Sequence, residues 1–279
     1  MITHTYYNTP FDLSGQTAVV TGGTGLLGTE FCKALASAGA NVAITDINQQ
    51  QLEKTLASIQ KDFPKAHVII RIVDVTSTQS IERCIQAVCQ EFEKIDILIN
   101  SAAIDAKFDK ESDTSTFSKF TEFPKSMWAQ SISVNLTGTF LMTQAVCRIM
   151  EKYQTGSIIF LGSNYGLVGP DQQIYKKDGH SSQSFKPPVY SVCKAGLIGL
   201  TKFLATYYAG TKIRVNMLTP SGVYNNQDEE FVNNYSGNTI LRRMSNKEEY
   251  WGPLLFLASD ASSYMTGGNL VIDGGWTAI

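Results

Sequence analysis

Apolar positions along the chain form two alternating kinds of run: short β-branched stretches and longer one-sided stripes. Thr17–Val20, Asn41–Thr45, His67–Val73, Ile95–Ile99, Gly156–Leu161, Arg214–Leu218 and Asn269–Ile272 read as seven strands. Between them, Gln49–Asp62, Ser80–Glu93, Ser126–Tyr153, Tyr190–Tyr208 and Glu248–Ser259 carry helical spacing. Ile81, Ile85, Val88 and Phe92 make one such stripe. Strands alternating with helices predict an α/β fold, a doubly wound parallel sheet of about seven strands with helices on both faces.

The stretch from Val19 to Asp46 sharpens this picture. It runs strand, glycine-dense turn (TGGTGLLG), helix, then a strand closing on a carboxylate, the layout of a dinucleotide-binding βαβ unit of the Rossmann type. Gly22, Gly23, Gly25 and Gly28 allow a tight turn and close approach of backbone to a ligand. The helix N-terminus behind them presents N–H groups that favour a pyrophosphate. Asp46 lies 18 residues past Gly28, near the spacing at which an acidic side chain accepts hydrogen bonds from an adenosine ribose. Its charge repels a 2′-phosphate, and neither Ile47 nor Asn48 supplies a cation to hold one, so NAD is favoured over NADP.

Ligands in such sheets gather at the carboxyl ends of the strands, where Gly25, Asp46, Asp74 and Asn100 all fall. The periodicity lapses in three places. Residues 104–125 are charged and dotted with aromatics, a surface loop or an inserted hairpin. Residues 164–189 are rich in Gly, Pro, Ser and Lys and read as a lid, and Val223–Asn246 is polar enough to fold over a ligand too. Inside the helix Ser126–Tyr153, Asn135 and Gly138 each need a reason: one is polar, the other weakens helices.

The chain has 279 residues, ordinary for one α/β domain spanning 1–279. Lys and Arg number 23 against 25 Asp and Glu, with no basic block to suggest nucleic acid or an anionic membrane. A small-molecule partner follows. The five cysteines form no CxxC pair and read as reduced, buried thiols. The polar, aromatic start MITHTYYNTPFD lacks the pattern of a signal peptide, and no apolar run approaches the roughly 20 residues that cross a bilayer. These features predict a soluble cytoplasmic protein.

Tyr190 and Lys194 are four apart on a predicted helix and share a face. A free phenol, with a pKa of about 10, is ionised only about once in a thousand at pH 7, a deficit of roughly 4 kcal/mol. An ammonium about 4 Å away at an effective dielectric near 20 contributes energy of that order. Lys194 thus brings Tyr190 into the working range of an acid–base catalyst. Tyr-x-x-x-Lys alone occurs in many chains of this size, but here it follows the fifth strand and Ser163, whose hydroxyl is positioned to donate to a substrate oxygen. Taken singly, Ser163 is equally a turn or capping serine, and Asn135 equally a buried amide satisfied by backbone.

With these residues assembled, the chain resembles the short-chain dehydrogenase/reductase family over nearly its whole length. TGGTGLLG, Asp74-Val75, Asn100-Ser101-Ala102-Ala103, Val134-Asn135, Ser163, Tyr190 with Lys194, IRVNMLTPSG and LASDASSYMTGGNLVIDGG carry the likeness. It implies Tyr190 as general acid/base, Ser163 as donor to the reacting oxygen, and Lys194 as pKa modifier and binder of the nicotinamide ribose. Asn135 would hold a proton-relaying water, Asp74 and Val75 would meet the adenine, and Asn100 would steady the turn below the ribose. Further cofactor contacts are implied for Gly22, Gly25, Leu26, Leu27, Ala102, Pro220, Gly222 and Val223. A homo-oligomer, tetramer or dimer, is also implied, with Trp276 to Ile279 near a subunit contact.

Departures from the family pattern are equally specific. The middle glycine of the turn sits one place early, at Gly25, with Leu26 where glycine is usual. Ser163 and Tyr190 are 27 apart, where the family commonly uses about a dozen. Ser221, Gly222 and Val223 follow Pro220 in place of the frequent Gly-Thr. The expected activity is NAD-dependent hydride transfer between nicotinamide and a secondary alcohol or ketone. The glycine turn and the extended lid, with Lys176, Lys177 and His180, resemble members that accompany surface-carbohydrate biosynthesis, hence a sugar-like or anionic hydroxylated substrate. The alternatives are a fatty-acyl ketoreductase, a sugar-nucleotide epimerase or dehydratase, and a non-catalytic dinucleotide-binding protein.

Overall fold

The computed structural model describes residues 10–104, 119–176 and 185–278. Most of the N-terminal arm, most of the 104–125 insertion, and Lys177 and His180 of the lid lie outside the described residues. Seven strands, β1 (Thr17–Thr21), β2 (Asn41–Asp46), β3 (Val68–Ile72), β4 (Ile97–Asn100), β5 (Thr155–Leu161), β6 (Lys212–Pro220) and β7 (Asn269–Ile272), form one sheet. Every pairing is parallel, in the order β3-β2-β1-β4-β5-β6-β7.

The helices are α1 (Leu26–Ser37), α2 (Gln49–Asp62), α3 (Thr78–Phe92), α4 (Lys125–Ile132), α5 (Thr139–Tyr153), α6 (Pro188–Tyr207), α7 (Glu229–Gly237) and α8 (Trp251–Ala258). Alternate residues of each central strand feed two cores, which is why the strands read as continuous apolar runs. Val20 and Ile44 join Phe31, Leu35, Leu52 and Leu254 on one face. Val19 and Leu98 join Ile85, Val88, Met142 and Val146 on the other. The five cysteines are unpaired, and four of them are buried.

Two differences from the sequence reading bear on the site. The single helix expected over Ser126–Tyr153 is interrupted by a wider π turn at Ser133–Gly138. A Cβ on Gly138 would meet Val75 Cγ2 at 2.7 Å, so glycine lets β3's exit loop pack there. The polar Val223–Asn246 region contains α7, capped by the Asp228 carboxylate on Phe231 N–H at 3.0 Å. Asp228 with Glu229 and Glu230 in the first turn was the available signal for it.

β1 and β4 are neighbours although β2 lies on β1's other side, so the chain reverses direction across the sheet at that point. Crevices open at such switch points. The ends of β1, β4, β5 and β6 converge there.

Candidate active site

The glycine turn between β1 and α1 is built by close contact. Gly22 has φ of +61°, and a Cβ on it would come within 2.7 Å of Ala102 Cα. A Cβ on Gly28 would fall on the carbonyl oxygen of Gly22. Gly25 caps α1 with no side-chain hydrogen bond, and the first turn of α1 holds no acidic residue. The N-terminal amides of α1, with Leu26 and Leu27 lining the adjoining cleft, therefore suit an anionic group such as a pyrophosphate. Thr21 Oγ1 accepts from the amides of Ser101 and Ala102, both at 3.1 Å, tying β4's exit loop to the turn.

Asp46 ends β2 beside this turn. Its Oδ2 accepts the Thr24 hydroxyl at 2.6 Å, and its Oδ1 accepts Asn48 N–H at 3.1 Å. The carboxylate is thus held at the rim of the turn, next to Ile47. Asp74 also shapes its own loop, since its Oδ1 accepts the amide and hydroxyl of Thr76 at 2.9 and 2.7 Å. The Val75 side chain is spent on Gly138.

Two buried amides near the cleft are held by specific hydrogen bonds. Asn100 Nδ2 donates to Thr143 Oγ1 on α5 at 3.1 Å. Asn135, in the π turn, has its amide locked to one peptide unit: Oδ1 accepts Ile104 N–H at 2.8 Å and Nδ2 donates to Ile104 O at 2.9 Å. These two bonds anchor the start of the 104–125 insertion.

Ser163, Tyr190 and Lys194 line one cleft of about 530 Å³, together with Gly25 to Gly28 at one side and Pro220 to Val223 at another. Although Ser163 and Tyr190 are 27 residues apart, the turn that follows Ser163 lies against α6. Directly after β5, residues Asn164–Gly166 make a 3-10 turn capped by Ser163, whose Oγ accepts Tyr165 N–H at 3.2 Å. A Cβ on Gly166 would sit 2.8 Å from the carbonyl carbon of Lys194, so this turn lies directly on the helix that carries Tyr190 and Lys194. Lys194 is 5% exposed, and its ammonium donates to Leu161 O at 2.6 Å. It lies 5.8 Å from the centre of the Tyr190 ring.

Several cleft residues carried no signal in the sequence reading. Tyr235 of α7 accepts hydrogen bonds from Gly222 N–H and, at 3.3 Å, from Asn164 Nδ2, joining β6's exit to the turn after Ser163. A Cβ on Gly222 would overlap the Tyr235 ring. Burial pushes the Tyr235 phenol above its ordinary range, so it serves as a neutral hydrogen-bonding post. Tyr165 and Trp276 pack beside it, with ring centres 6.0 Å apart, and Tyr175 and Phe231 extend the aromatic wall. Trp276 is buried within its own chain. These aromatics are separated by more than a hundred residues in sequence, from Tyr165 to Trp276, and gave no local pattern.

The two ends of the lid segment are stapled: Lys186 N–H donates to Gln172 Oε1 at 2.8 Å, and Gln172 Nε2 donates back to Lys186 O at 3.5 Å. Asp171 Oδ2 accepts Asn238 Nδ2 at 2.8 Å, fastening the lid to the segment after α7. A larger cavity, about 880 Å³, lies at the opposite edge of the sheet around Asp96, Lys212 and Arg214. Its charged groups serve the fold: Arg214 binds Ser262 Oγ and the carbonyls of Leu257 and Ser259, and Asp96 binds Thr17 N–H and Lys94.

Comparison with known proteins shows the family of the chain. A family profile described as Enoyl-(Acyl carrier protein) reductase matches residues 25–277. D-threitol dehydrogenase of Mycolicibacterium smegmatis is 30% identical over 272 residues, covering 96% of this chain and 95% of its own. The 3-oxoacyl-[acyl-carrier-protein] reductase FabG of Aquifex aeolicus is 32% identical, covering 94% and 98%. The crystal structure of a short chain dehydrogenase from Leptospira borgpetersenii with bound NAD+ superposes with a TM-score of 0.81 at 32% identity, covering 95% of this chain and 94% of that one. The chain belongs to the short-chain dehydrogenase/reductase family of nicotinamide-dinucleotide-dependent oxidoreductases.

Proposed function

We propose that the protein is an NAD-dependent oxidoreductase that interconverts a secondary alcohol and a ketone on a small polyhydroxylated substrate. The observation that carries this reading is the single cleft lined by Ser163, Tyr190 and Lys194, with α1's uncapped amides at one side and an aromatic wall at the other. When bound, the dinucleotide supplies the hydride acceptor or donor.

In the oxidative direction the Tyr190 phenolate takes the proton of the substrate hydroxyl while Ser163 Oγ holds the same oxygen. The Lys194 ammonium stabilises that phenolate. An amide has donor and acceptor capacity beyond the two bonds Asn135 makes to Ile104, and the predicted water-holding role would use it. Asp46 at the rim of the glycine turn supports NAD over NADP. Similarity to a D-threitol dehydrogenase and an aromatic wall suited to the C–H faces of a carbon chain support the substrate class.

The test is turnover of a polyol and ketose panel followed by NADH absorbance. Tyr190→Phe is expected to keep dinucleotide binding and lose turnover by about 100-fold or more, and turnover equal to that of the unaltered protein refutes the assignment. A reductase of carrier-bound acyl groups is the second reading, supported by the FabG similarity. It predicts NADPH as the tighter cofactor.

We also infer a homo-oligomer. Phe140 on α5 and Phe203 and Tyr207 on α6 are 45%, 62% and 65% exposed and line one shallow surface depression, more apolar area than solvent-facing helices ordinarily carry in one place. Light scattering is expected to give a multimer that Phe203→Glu weakens, and a monomer in both cases opposes it.

A further inference from the structure

We infer that Asn164 is a positioning residue that holds the Ser163 hydroxyl in place for the reacting oxygen of the substrate. The inference rests on the reading of Ser163 as the donor to that oxygen. Asn164 is 2% exposed and lines the same cleft. A buried amide costs stability unless its polar atoms are bonded, and the bonds of this one reach well beyond its own turn.

The turn after β5 does not need this side chain. Tyr165 N–H already has Ser163 Oγ as an acceptor at 3.2 Å, and Asn164 Oδ1 is a second one at 3.0 Å. What Asn164 adds is an acceptor for the serine proton, since Ser163 Oγ donates to Asn164 Oδ1 at 3.2 Å. A serine hydroxyl carries one proton and rotates among staggered wells. With Tyr165 N–H donating into Oγ and Oδ1 receiving its proton, both the place of the oxygen and the direction of the proton are set. At 3.2 Å the bond to Oδ1 is long for a hydroxyl donor, so it is readily given up. When a substrate oxygen arrives the O–H turns to it, and Oδ1 keeps Tyr165 N–H, so the acceptor is not left bare. A donor placed in advance does not have to be aimed during the reaction.

The far side of the amide fixes which way it faces. Asn164 Nδ2 donates at 3.3 Å to the hydroxyl of Tyr235, 71 residues along the chain, and the same phenol accepts Gly222 N–H. A flipped amide would set Nδ2 against Tyr165 N–H, donor against donor. Tyr235 is itself 3% exposed, and its ring packs on Trp276 with centres 4.5 Å apart. The direction of the Ser163 hydroxyl is thus tied through Asn164 to α7 and to the exit of β6.

The experiment is steady-state oxidation of D-threitol, D-arabinitol, xylitol and glycerol with NAD by the full chain carrying Asn164→Leu, Ser163→Ala or both. On the fastest of the four, Asn164→Leu is expected to lower kcat about tenfold, with NADH affinity by fluorescence titration within about twofold of the unaltered protein. Added to Ser163→Ala, the same change is expected to lower the remaining turnover less than about twofold, because a residue that acts through the serine then has nothing to act on. Asn164→Ala replaces the leucine variant if thermal melting shows that one unfolded. Where the turnover left by Ser163→Ala is below detection, the crystal structure of Asn164→Leu decides: Ser163 Oγ in more than one rotamer supports the inference, and a single unshifted rotamer overturns it.

Losses that multiply in the double variant overturn the inference, as does Asn164→Leu turning over at the unaltered rate. So does a fall in NADH affinity as large as the fall in turnover, which would assign Asn164 to the dinucleotide side through Tyr235 and Gly222. Ser163→Ala turning over at the unaltered rate, or no turnover of any of the four by the unaltered protein, is a separate result and overturns the proposed function itself.

Discussion

The ammonium of Lys194 donates to the carbonyl oxygen of Leu161 at 2.6 Å while lying 5.8 Å from the centre of the Tyr190 ring. One bond fixes the cation to the end of β5, and the other separation sets how strongly it acts on the phenol. A cation beside the ring favours the phenolate over the phenol.

Lys194→Met is therefore expected to move the pH at which oxidative turnover rises toward alkaline values. The sign follows from the cation: without it the phenolate loses stabilisation, and the proton stays on the phenol to higher pH. The pH profile of kcat/KM measures this, and an unmoved profile would separate Lys194 from the ionisation of Tyr190. Leaving Leu161 O without its donor also costs stability, about 1–3 kcal/mol, read from thermal melting.

Gly28→Ala puts a methyl group on the carbonyl oxygen of Gly22. The turn and α1 must move apart, at a cost of about 1–3 kcal/mol, and the amides facing the cleft move with them. NADH fluorescence titration is expected to give at least a tenfold weaker affinity. Gly169→Ala, where a Cβ meets nothing within 4 Å, is the control and is expected to bind normally.

Asp46→Ser combined with Ile47→Arg exchanges a carboxylate for a hydroxyl and places a cation on a side chain that is 68% exposed. The ratio of NADP to NAD affinity is expected to rise tenfold or more. NAD affinity falls as well, because Thr24 loses its 2.6 Å partner. An unchanged ratio would show that the discrimination lies elsewhere.

Glu249 secures the loop that holds Gly222. Its carboxylate pairs with Arg243 at 2.6 and 2.5 Å and accepts Asn246 N–H at 2.7 Å, while Ser245 N–H and Oγ reach Gly222 O at 3.1 Å. The Arg243 guanidinium lowers the Glu249 pKa to about 2. A carboxyl whose folded pKa is depressed stabilises the fold above its unfolded pKa and loses that contribution as pH falls through the folded one. The melting-temperature difference between the unaltered protein and Glu249→Gln is therefore expected to be present at pH 6 and to shrink between about pH 4 and pH 2. Both side chains are well exposed, so the difference is small, within about 1 kcal/mol.

Elements whose signal is local were legible without the structure. The seven strands, the Gln49–Asp62 helix to the residue, and the glycine turn follow from apolar spacing and from residues adjacent in the chain. The same holds for the Tyr190–Lys194 pair, because four residues on a helix return to one face. Composition and motif order were enough for the family.

Tertiary packing decided the rest, because its determinants lie far apart in the chain. The lid's return onto α6 depends on Gly166 meeting Lys194, and the wall of the cleft on Tyr165, Tyr235 and Trp276 meeting across three segments. Asn135 illustrates the limit: that its amide meets both polar atoms of the Ile104 peptide unit depends on a segment 31 residues away in the chain. The sequence by itself determined which backbone elements form, since those energies are set by neighbours within a turn or a strand. Which side chains face one another across the cleft, Lys186 over Tyr190 among them, is set by contacts that exist only once the sheet and its two helical layers have closed.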